Sequence, residues 1–376
     1  MVTVITGYKG GNSGNANQRI LAFDKGIAKL NPSKTPLTVL LSRIKKRGTG
    51  NPKYEWFEDI DMPYWDAVNN GAGIAAADPT IEVDNFSYFG VGDLVLVPRT
   101  GEVFRVTIAT ASPITVIRGA GAADLVDNEP LMILADSNEE GGVSKDSKII
   151  QLTNEYNYSQ IFRTSVSITD TEKNTDMYTG ADLDYQKKKR GIEHMEKIER
   201  AFLWGQRTIT IGTHPRRTTG GIFNTLSSNV VDLGGVMTEF EFENQLEDVF
   251  SYGSKIKWAF CAKRPLSVIN MWGKAKTDPV KGETYGLVIS KYKSIHGDLN
   301  LVEHPMFTGA IYGYSMLILD LADDNVEYRP MKNRDTRLKL NIQAADVDGE
   351  KDEYLTECGI SLKNVDKHFI FTGIEA

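Results

Sequence analysis

The chain has little cysteine, little histidine and no long apolar run, and each shortage excludes something. Two cysteines in 376 residues, Cys261 and Cys358, are too few for a disulfide framework, and their spacing fits no zinc motif. They are expected to be buried thiols, because free cysteine is among the most buried residue types. No stretch approaches the ~18 apolar residues of a membrane span. Residues 1–20 lack the basic and apolar regions of a signal peptide, so a soluble product retained in the cytoplasm is expected. Basic excess is missing too: 43 Lys and Arg face 50 Asp and Glu, a formal net charge of −7. A dedicated nucleic-acid binder usually carries the opposite imbalance, although a local basic face could still touch nucleic acid.

Motifs that carry chemistry are equally scarce. A phosphate-binding loop needs a Gly-rich turn ending in Gly-Lys-Ser/Thr, and Gly253-Ser254-Lys255 has neither the preceding glycine nor the order. Arg118-Gly119-Ala120-Gly121 misses the third glycine of a dinucleotide fingerprint and follows β-rich sequence. The five histidines, His194, His214, His296, His304 and His368, form no i, i+4 metal pair. His194 reads as a surface residue of a helix, and His304, before Pro305, as a turn residue. No Gly-x-Ser-x-Gly elbow is present. Asp346-Val347-Asp348-Gly349-Glu350 resembles the middle of a calcium loop, but Ala344 occupies the preceding alternate position, which favours an acidic hairpin turn. The expectation is a chain with no catalytic residues, no cofactor and no metal.

What is present is structural patterning. Residues 1–36 have little periodicity, apart from a short helical stretch around Leu21–Leu30 that Pro32 and Pro36 end. Lys53–Asp59 reads as an aromatic-rich strand. Residues 75–139 hold short β-branched strands with Gly and Pro turns, the pattern of a small inserted barrel or sandwich. Asn157–Asp170 is extended. Asp184–Gln206 has the strongest helical period, with Ile192, Met195, Ile198 and Phe202 on the inner stripe. Lys187–Arg190, Glu193, Glu196, Lys197, Glu199 and Arg200 fall on the outer face. Thr238 to Glu241 has the form of a capping box ahead of Phe242, Leu246, Val249 and Phe250. Ile256–Cys261 reads as a buried strand, and Pro265 as the first residue of a helix. Tyr285–Tyr292, Leu299–Glu303, Ile311–Leu321, Arg337–Ile342, Asp352–Leu362 and His368–Thr372 read as strands. Helices and strands mix without βαβ alternation, so the class is α+β.

Two basic runs stand out, Arg43, Lys45, Lys46, Arg47 and Lys187, Lys188, Lys189, Arg190. Such runs are usually solvated faces. The alternatives are contact with nucleic-acid phosphate or with an acidic surface of another subunit.

The ordered combination of elements resembles a known family. The carrying segments are Thr35-Pro36-Leu37-Thr38, Tyr54-Glu55-Trp56, Val91-Gly92-Asp93, Thr100-Gly101-Glu102 and Thr115-Val116-Ile117-Arg118-Gly119. Tyr158-Ser159-Gln160-Ile161-Phe162, Val166 to Thr171 and Ile198 to Gly205 complete it. The chain is similar to the SU-ten type major capsid proteins of tailed phages, with the HK-ninety-seven-like capsid fold. The resemblance implies an N-terminal arm at 1–36 and an extended loop at 64–178 carrying the β-module at about 75–139. It further implies a spine helix within 180–219 and an axial domain at 220–326. A discontinuous peripheral domain would combine 37–63, the spine-helix region and 327–376. It implies a non-enzymatic subunit that partners itself in hexamers and pentamers of an icosahedral virion capsid, assembled in the host bacterial cytoplasm. Portal, scaffolding and decoration proteins would be further partners, and double-stranded DNA would be enclosed without sequence specificity or any membrane. An encapsulin-like cargo shell and a phage tail or baseplate component are the competing readings.

Overall fold

A computed structural model describes residues 35–44, 46–141, 148–175, 182–272, 277–284 and 287–375. The helical stretch expected at Leu21–Leu30 lies outside them. Helix α1 (Pro36–Ile44) and strand β1 (Lys53–Glu58) come first. Strands β2 (Trp65–Ala67), β3 (Thr80–Ile81), β4 (Asp93–Val97), β5 (Glu102–Ile108), β6 (Ile114–Ile117) and β7 (Pro130–Asp136) follow. Next are β8 (Thr153–Tyr158), β9 (Gln160–Ile168), the turn α2 (Asp170–Lys173) and the long helix α3 (Asp182–Trp204). Then come β10 (Thr208–Thr210), β11 (Arg216–Thr218), α4 (Ile222–Thr225), β12 (Val230–Val236), α5 (Glu239–Val249) and β13 (Ile256–Cys261). Helix α6 (Lys263–Trp272), β14 (Thr277–Thr284), β15 (Leu287–Lys293), β16 (Asp298–Glu303) and α7 (Gly309–Tyr312) continue the chain. It ends with β17 (Met316–Leu319), β18 (Val326–Pro330), β19 (Arg337–Lys339), β20 (Glu350–Leu362) and β21 (Phe369–Glu375).

The elements gather into two compact units, Phe57–Asn154 and the segments on either side of it. The chain passes between them inside a two-stranded sheet of β1 and β8. The first unit is a six-stranded sheet in the order β2-β7-β4-β5-β6-β3. Its strands obey the two-residue period: in β5, Phe104 and Val106 are buried while Val103 is exposed. Val68, Val95, Val97, Ile114 and Leu131 complete its core. The unit is wider than the 75–139 expected, because Trp65–Ala67 pair with Pro130–Met132. A three-residue strand carries too little periodicity to be seen in sequence.

The second unit is built on a seven-stranded mixed sheet, β12-β21-β17-β13-β16-β15-β14. Both faces of its centre are covered, which is why Met316–Leu319 is apolar throughout. Alternation divides it: Leu317, Leu319, Phe260, Val302 and Ile370 enter one core. Met316, Ile318, Ala259, Cys261, Leu301 and Phe371 enter the other. Helix α5 closes the second core with Phe242, Leu246 and Val249, and its first turn is held by the expected capping box of Thr238 and Glu241. Both cysteines are buried and free, as their spacing suggested. Pro265 is the third residue of α6, not the first, and Ile311 belongs to the short helix α7 ahead of β17.

The first core also receives α1 and α3. Proline suits the first turn of a helix, where its missing N–H has no partner to lose. Pro36 takes that place in α1, and Leu37, Leu40 and Leu41 present one apolar face. Helix α3 runs 23 residues, about 34 Å at 1.5 Å per residue. Ile198, Phe202 and Leu203 are fully buried and Met195 packs against them. Ile192 is 42% exposed, so the inner stripe begins one turn later than the sequence period suggested. A four-stranded sheet (β18-β20-β19, with β9 on the opposite edge of β20) lies beneath α3. This placement of Ile192 is testable on soluble subunits. Phe202→Ala should cost about 3–5 kcal/mol in denaturant unfolding. Ile192→Ala should cost less than about 1 kcal/mol. Equal losses would contradict the facing described here.

Candidate assembly surfaces

Several elements of the larger unit are fixed from inside by buried polar groups. The tightest cluster centres on Glu199 of α3, which is fully buried. Its carboxylate accepts the backbone N–H of Leu37 at 2.9 Å and of Thr38 at 2.7 Å, and also the Thr38 hydroxyl. Those are first-turn donors of α1, which have no partner inside their own helix. The fourth contact is His304 Nε2, 2.9 Å from the same carboxylate. Nδ1 of His304 accepts the Met306 N–H at 3.3 Å, which places the ring proton on Nε2. His304 opens the turn expected after β16, its carbonyl accepting the Phe307 N–H at 3.0 Å, but its ring is buried against Glu199, which does not lie on the outer face of α3. One carboxylate ties α1, α3 and the end of β16 together.

His194 departs from its expected surface position in the same way. It is fully buried between Thr164 of β9, 3.0 Å from Nδ1, and Thr356 of β20, 2.8 Å from Nε2. Burial, helped by the nearby Lys197 charge, lowers its pKa to about 4. His368, also buried, accepts the Asp320 N–H at 3.1 Å, and burial lowers its pKa to about 4 as well. Lys257 is buried beneath α5. Its ammonium donates to the carbonyls of Val249, Tyr252 and Lys367 at 2.6, 2.9 and 2.8 Å, and burial lowers its pKa to about 8. Two of those carbonyls lie at the carboxyl end of α5, where a cation complements the helix dipole.

The basic runs divide by partner. Lys46 pairs with Asp335, and Arg47 lies 3.9 Å from Glu327, which also receives Arg329 and Lys363. Lys45 and the side chain of Arg43 lie outside the described residues. Lys187 is half-buried, with Asp352 at 2.7 Å and Glu350 at 3.2 Å, and Lys173 also reaches Glu350 at 2.7 Å. Hydrogen bonds from Lys173 and Lys187 hold the Glu350 carboxyl below the usual carboxylate range. Arg190 pairs with Glu193 at 2.6 Å. Lys188 and Lys189 are exposed, with no ion pair among the described residues. Of the second run, these two are the cations left for an outside partner. Apart from Arg190–Glu193, the internal pairs join residues far apart in sequence, so a linear reading shows the charge runs but not most of their neutralisation.

In the Phe57–Asn154 unit, two arginines organise the loop between β6 and β7. Arg118 forms a two-pronged pair with buried Glu102, both contacts at 2.7 Å, and donates to the Ala123 carbonyl. Arg99 does the same with Glu129, at 2.7 and 2.8 Å, and reaches the Asp124 carbonyl. Gly119 is required here by contact, because a Cβ would stand 2.0 Å from the Val103 carbonyl oxygen. The glycines that failed as a nucleotide fingerprint thus shape an arginine-pinned loop. Among the described residues no cluster of His, Cys, Asp and Glu could hold a metal.

A long helix laid on a small sheet, a second sheet with two cores and a separate β-rich unit make up the HK-ninety-seven-like capsid fold. Two solved capsids, of an empty and a native GTA particle, superpose at TM-score 0.50. They cover 98% and 97% of this chain and 98% of theirs, at 8% and 9% identity. The chain belongs to the SU10 major capsid protein family, which its residues 5–375 match. It is 25% identical over 266 residues to the major capsid protein of Pseudomonas phage PaMx41. That match covers 65% of this chain and 64% of the relative's length.

Two outcomes test the buried polar groups. Glu199→Ala strips four donors of their acceptor, and leaving buried donors unpaired costs about 1–3 kcal/mol each. Amide exchange at Leu37–Val39 should rise at least tenfold, and unchanged protection there would refute the clamp. The pH outcome follows from the histidines. A group whose folded pKa lies below its unfolded value of 6.5 contributes stability that is full above that value. The contribution is lost as pH falls toward about 4. Each histidine should therefore cost about 2 kcal/mol by pH 5. Melting midpoints should fall between pH 7.5 and 5, and His194→Gln should flatten the slope. A wild-type midpoint constant over that range would exclude this account.

Proposed function

We propose that the chain tiles the icosahedral shell of a tailed phage, as hexamers and pentamers that enclose double-stranded DNA. The observation that carries this reading is the family match along residues 5–375. Shell formation requires self-association, and the family is one of structural capsid proteins, without a catalytic role. Portal, scaffolding and decoration proteins are its further partners in this reading, and the host cytoplasm is the place of assembly. The unit Phe57–Asn154 serves as the extended loop that reaches a neighbouring subunit. Helix α3 is the spine, residues 220–326 the axial domain, and 37–56 with 327–376 the peripheral domain. The Phe57–Asn154 unit carries exposed apolar side chains at Phe57, Ile60, Tyr64, Ile149 and Leu152, which suits a buried subunit contact.

Electron microscopy of the purified protein, expressed alone and with its neighbouring phage genes, tests the reading. Closed isometric shells are expected, with nuclease-protected DNA once packaging components are present. Tubes, or monomers under every condition, would overturn it.

A further inference from the structure

The four-stranded sheet leaves one strand uncovered. A helix is about 10 Å across, and neighbouring strands lie about 4.8 Å apart, so one helix covers about two strands. Helix α3 covers β9 and β20, where Phe162, Val166 and Thr356 are buried on the helix-facing side. Strand β19 pairs with β20 on one side, through Arg337↔Leu355 to Lys339↔Glu353, and has no strand on its other side among the described residues. Along β19 and its continuation, Leu338, Leu340 and Ile342 recur at every second position and are 38%, 57% and 39% exposed. The period of two sets Leu338 and Leu340 on one face. Asn341, at φ 52°, then shifts the register, and Ile342 lines a cleft of about 360 Å³ with Ala344, Val347 and Ile168. An open edge with an apolar face is a template for a further strand.

The chain contains a segment suited to it. Val2-Thr3-Val4-Ile5-Thr6 is an unbroken run of β-branched residues, the type that best fits a pleated, half-buried surface. It stands in a basic stretch. Residues 1–34 contain Lys9, Arg19, Lys25, Lys29 and Lys34 against one acid, Asp24, a formal +4 that leaves −11 for the rest of a chain of net −7. The hairpin beyond β19 has the opposite sign: Asp346 and Asp348 are exposed at its tip, ahead of Glu350, Asp352 and Glu353. Glu350 and Asp352 are engaged by Lys173 and Lys187, so the two exposed aspartates are the charges left to meet the arm.

We infer that the edge of β19 is the docking site of the amino-terminal segment, with Val2–Thr6 added as a strand beside Leu338–Ile342 and the basic residues that follow set against the acidic hairpin. The inference rests on the shell reading only for which copy donates the arm. Strand addition supplies main-chain hydrogen bonds for affinity and side-chain alternation for register.

Cysteine cross-linking tests it in the full chain, because Cys261 and Cys358 are buried and do not interfere. Thr3→Cys with Leu340→Cys should form a disulfide in at least half of the chains on mild oxidation. Thr3→Cys with Ser87→Cys, in the separate β-rich unit, is the control. Covalent multimers identify an arm donated by a neighbouring copy, a faster-migrating monomer identifies the chain's own arm, and either supports the inference. Cross-linking no greater than in the control overturns it. Leu340→Asp, an exposed change that should leave the melting midpoint in place, should lower protection of amides 338–342 at least fivefold. Protection equal to wild type also overturns the inference. Both readouts apply to unassembled chains and to particles, so loss of the cross-link in well-formed shells sinks the docking site alone, whereas absence of shells sinks the proposed function.

Discussion

The larger unit depends on a buried carboxylate that is satisfied without a lysine or arginine. Glu199 accepts two backbone amides, a hydroxyl and an imidazole N–H, all inside the protein. A buried charge is costly unless its hydrogen-bonding capacity is filled, and these four donors fill it. The constraint is reciprocal. The first turn of α1 needs an acceptor, and the outward run of α1 toward β18 is set by where that acceptor stands. His304 then couples the same point to the end of β16 in the seven-stranded sheet. Three elements from distant parts of the sequence are held in register by one side chain, and the apolar packing of Leu37, Leu40, Leu41 and Phe202 builds around it.

The same principle runs along α3. Lys187 meets the carboxylates of β20, His194 sits between two threonine hydroxyls, Glu199 caps α1, and Phe202 and Leu203 fill the core. The helix thus meets its sheet through polar contacts in its first half and apolar contacts in its last. Polar contacts fix rotation and register, whereas apolar contacts supply most of the burial energy. A long helix that must keep one orientation on its sheet gains from having both.

Much of this architecture was legible in the sequence, and the misses share one cause. The capping box of α5, the buried strand Ile256–Cys261 and the long helix are local patterns, set by residues three or four apart or alternating. They survive folding because tertiary contacts reinforce them. His194, Glu199 and Lys187 were misplaced because their partners lie between 30 and 165 residues away, as with Thr164, Leu37 and Asp352. A polar residue on a helix reads as exposed unless its distant partner is known. The limits of the β-rich unit were missed for a related reason, since β2 is identified by its pairing with β7 and hardly by its own three residues. The charge runs show the limit most clearly: composition reveals a basic stretch, and only the fold shows that Lys46 and Lys187 are already neutralised.

Strand β21 occupies an interior position of the seven-stranded sheet, parallel to β12 on one side and antiparallel to β17 on the other. It is formed by residues 369–375, so the sheet stays divided until those residues have emerged from the ribosome. Until then β12 has no partner, and the core around α5 lacks Phe369, Phe371 and Ile374. A chain without β21 therefore lacks both the link between β12 and β17 and one side of the second core. Topology makes the body of the subunit conditional on one strand, which matters for a structure in which a defective tile disturbs its neighbours.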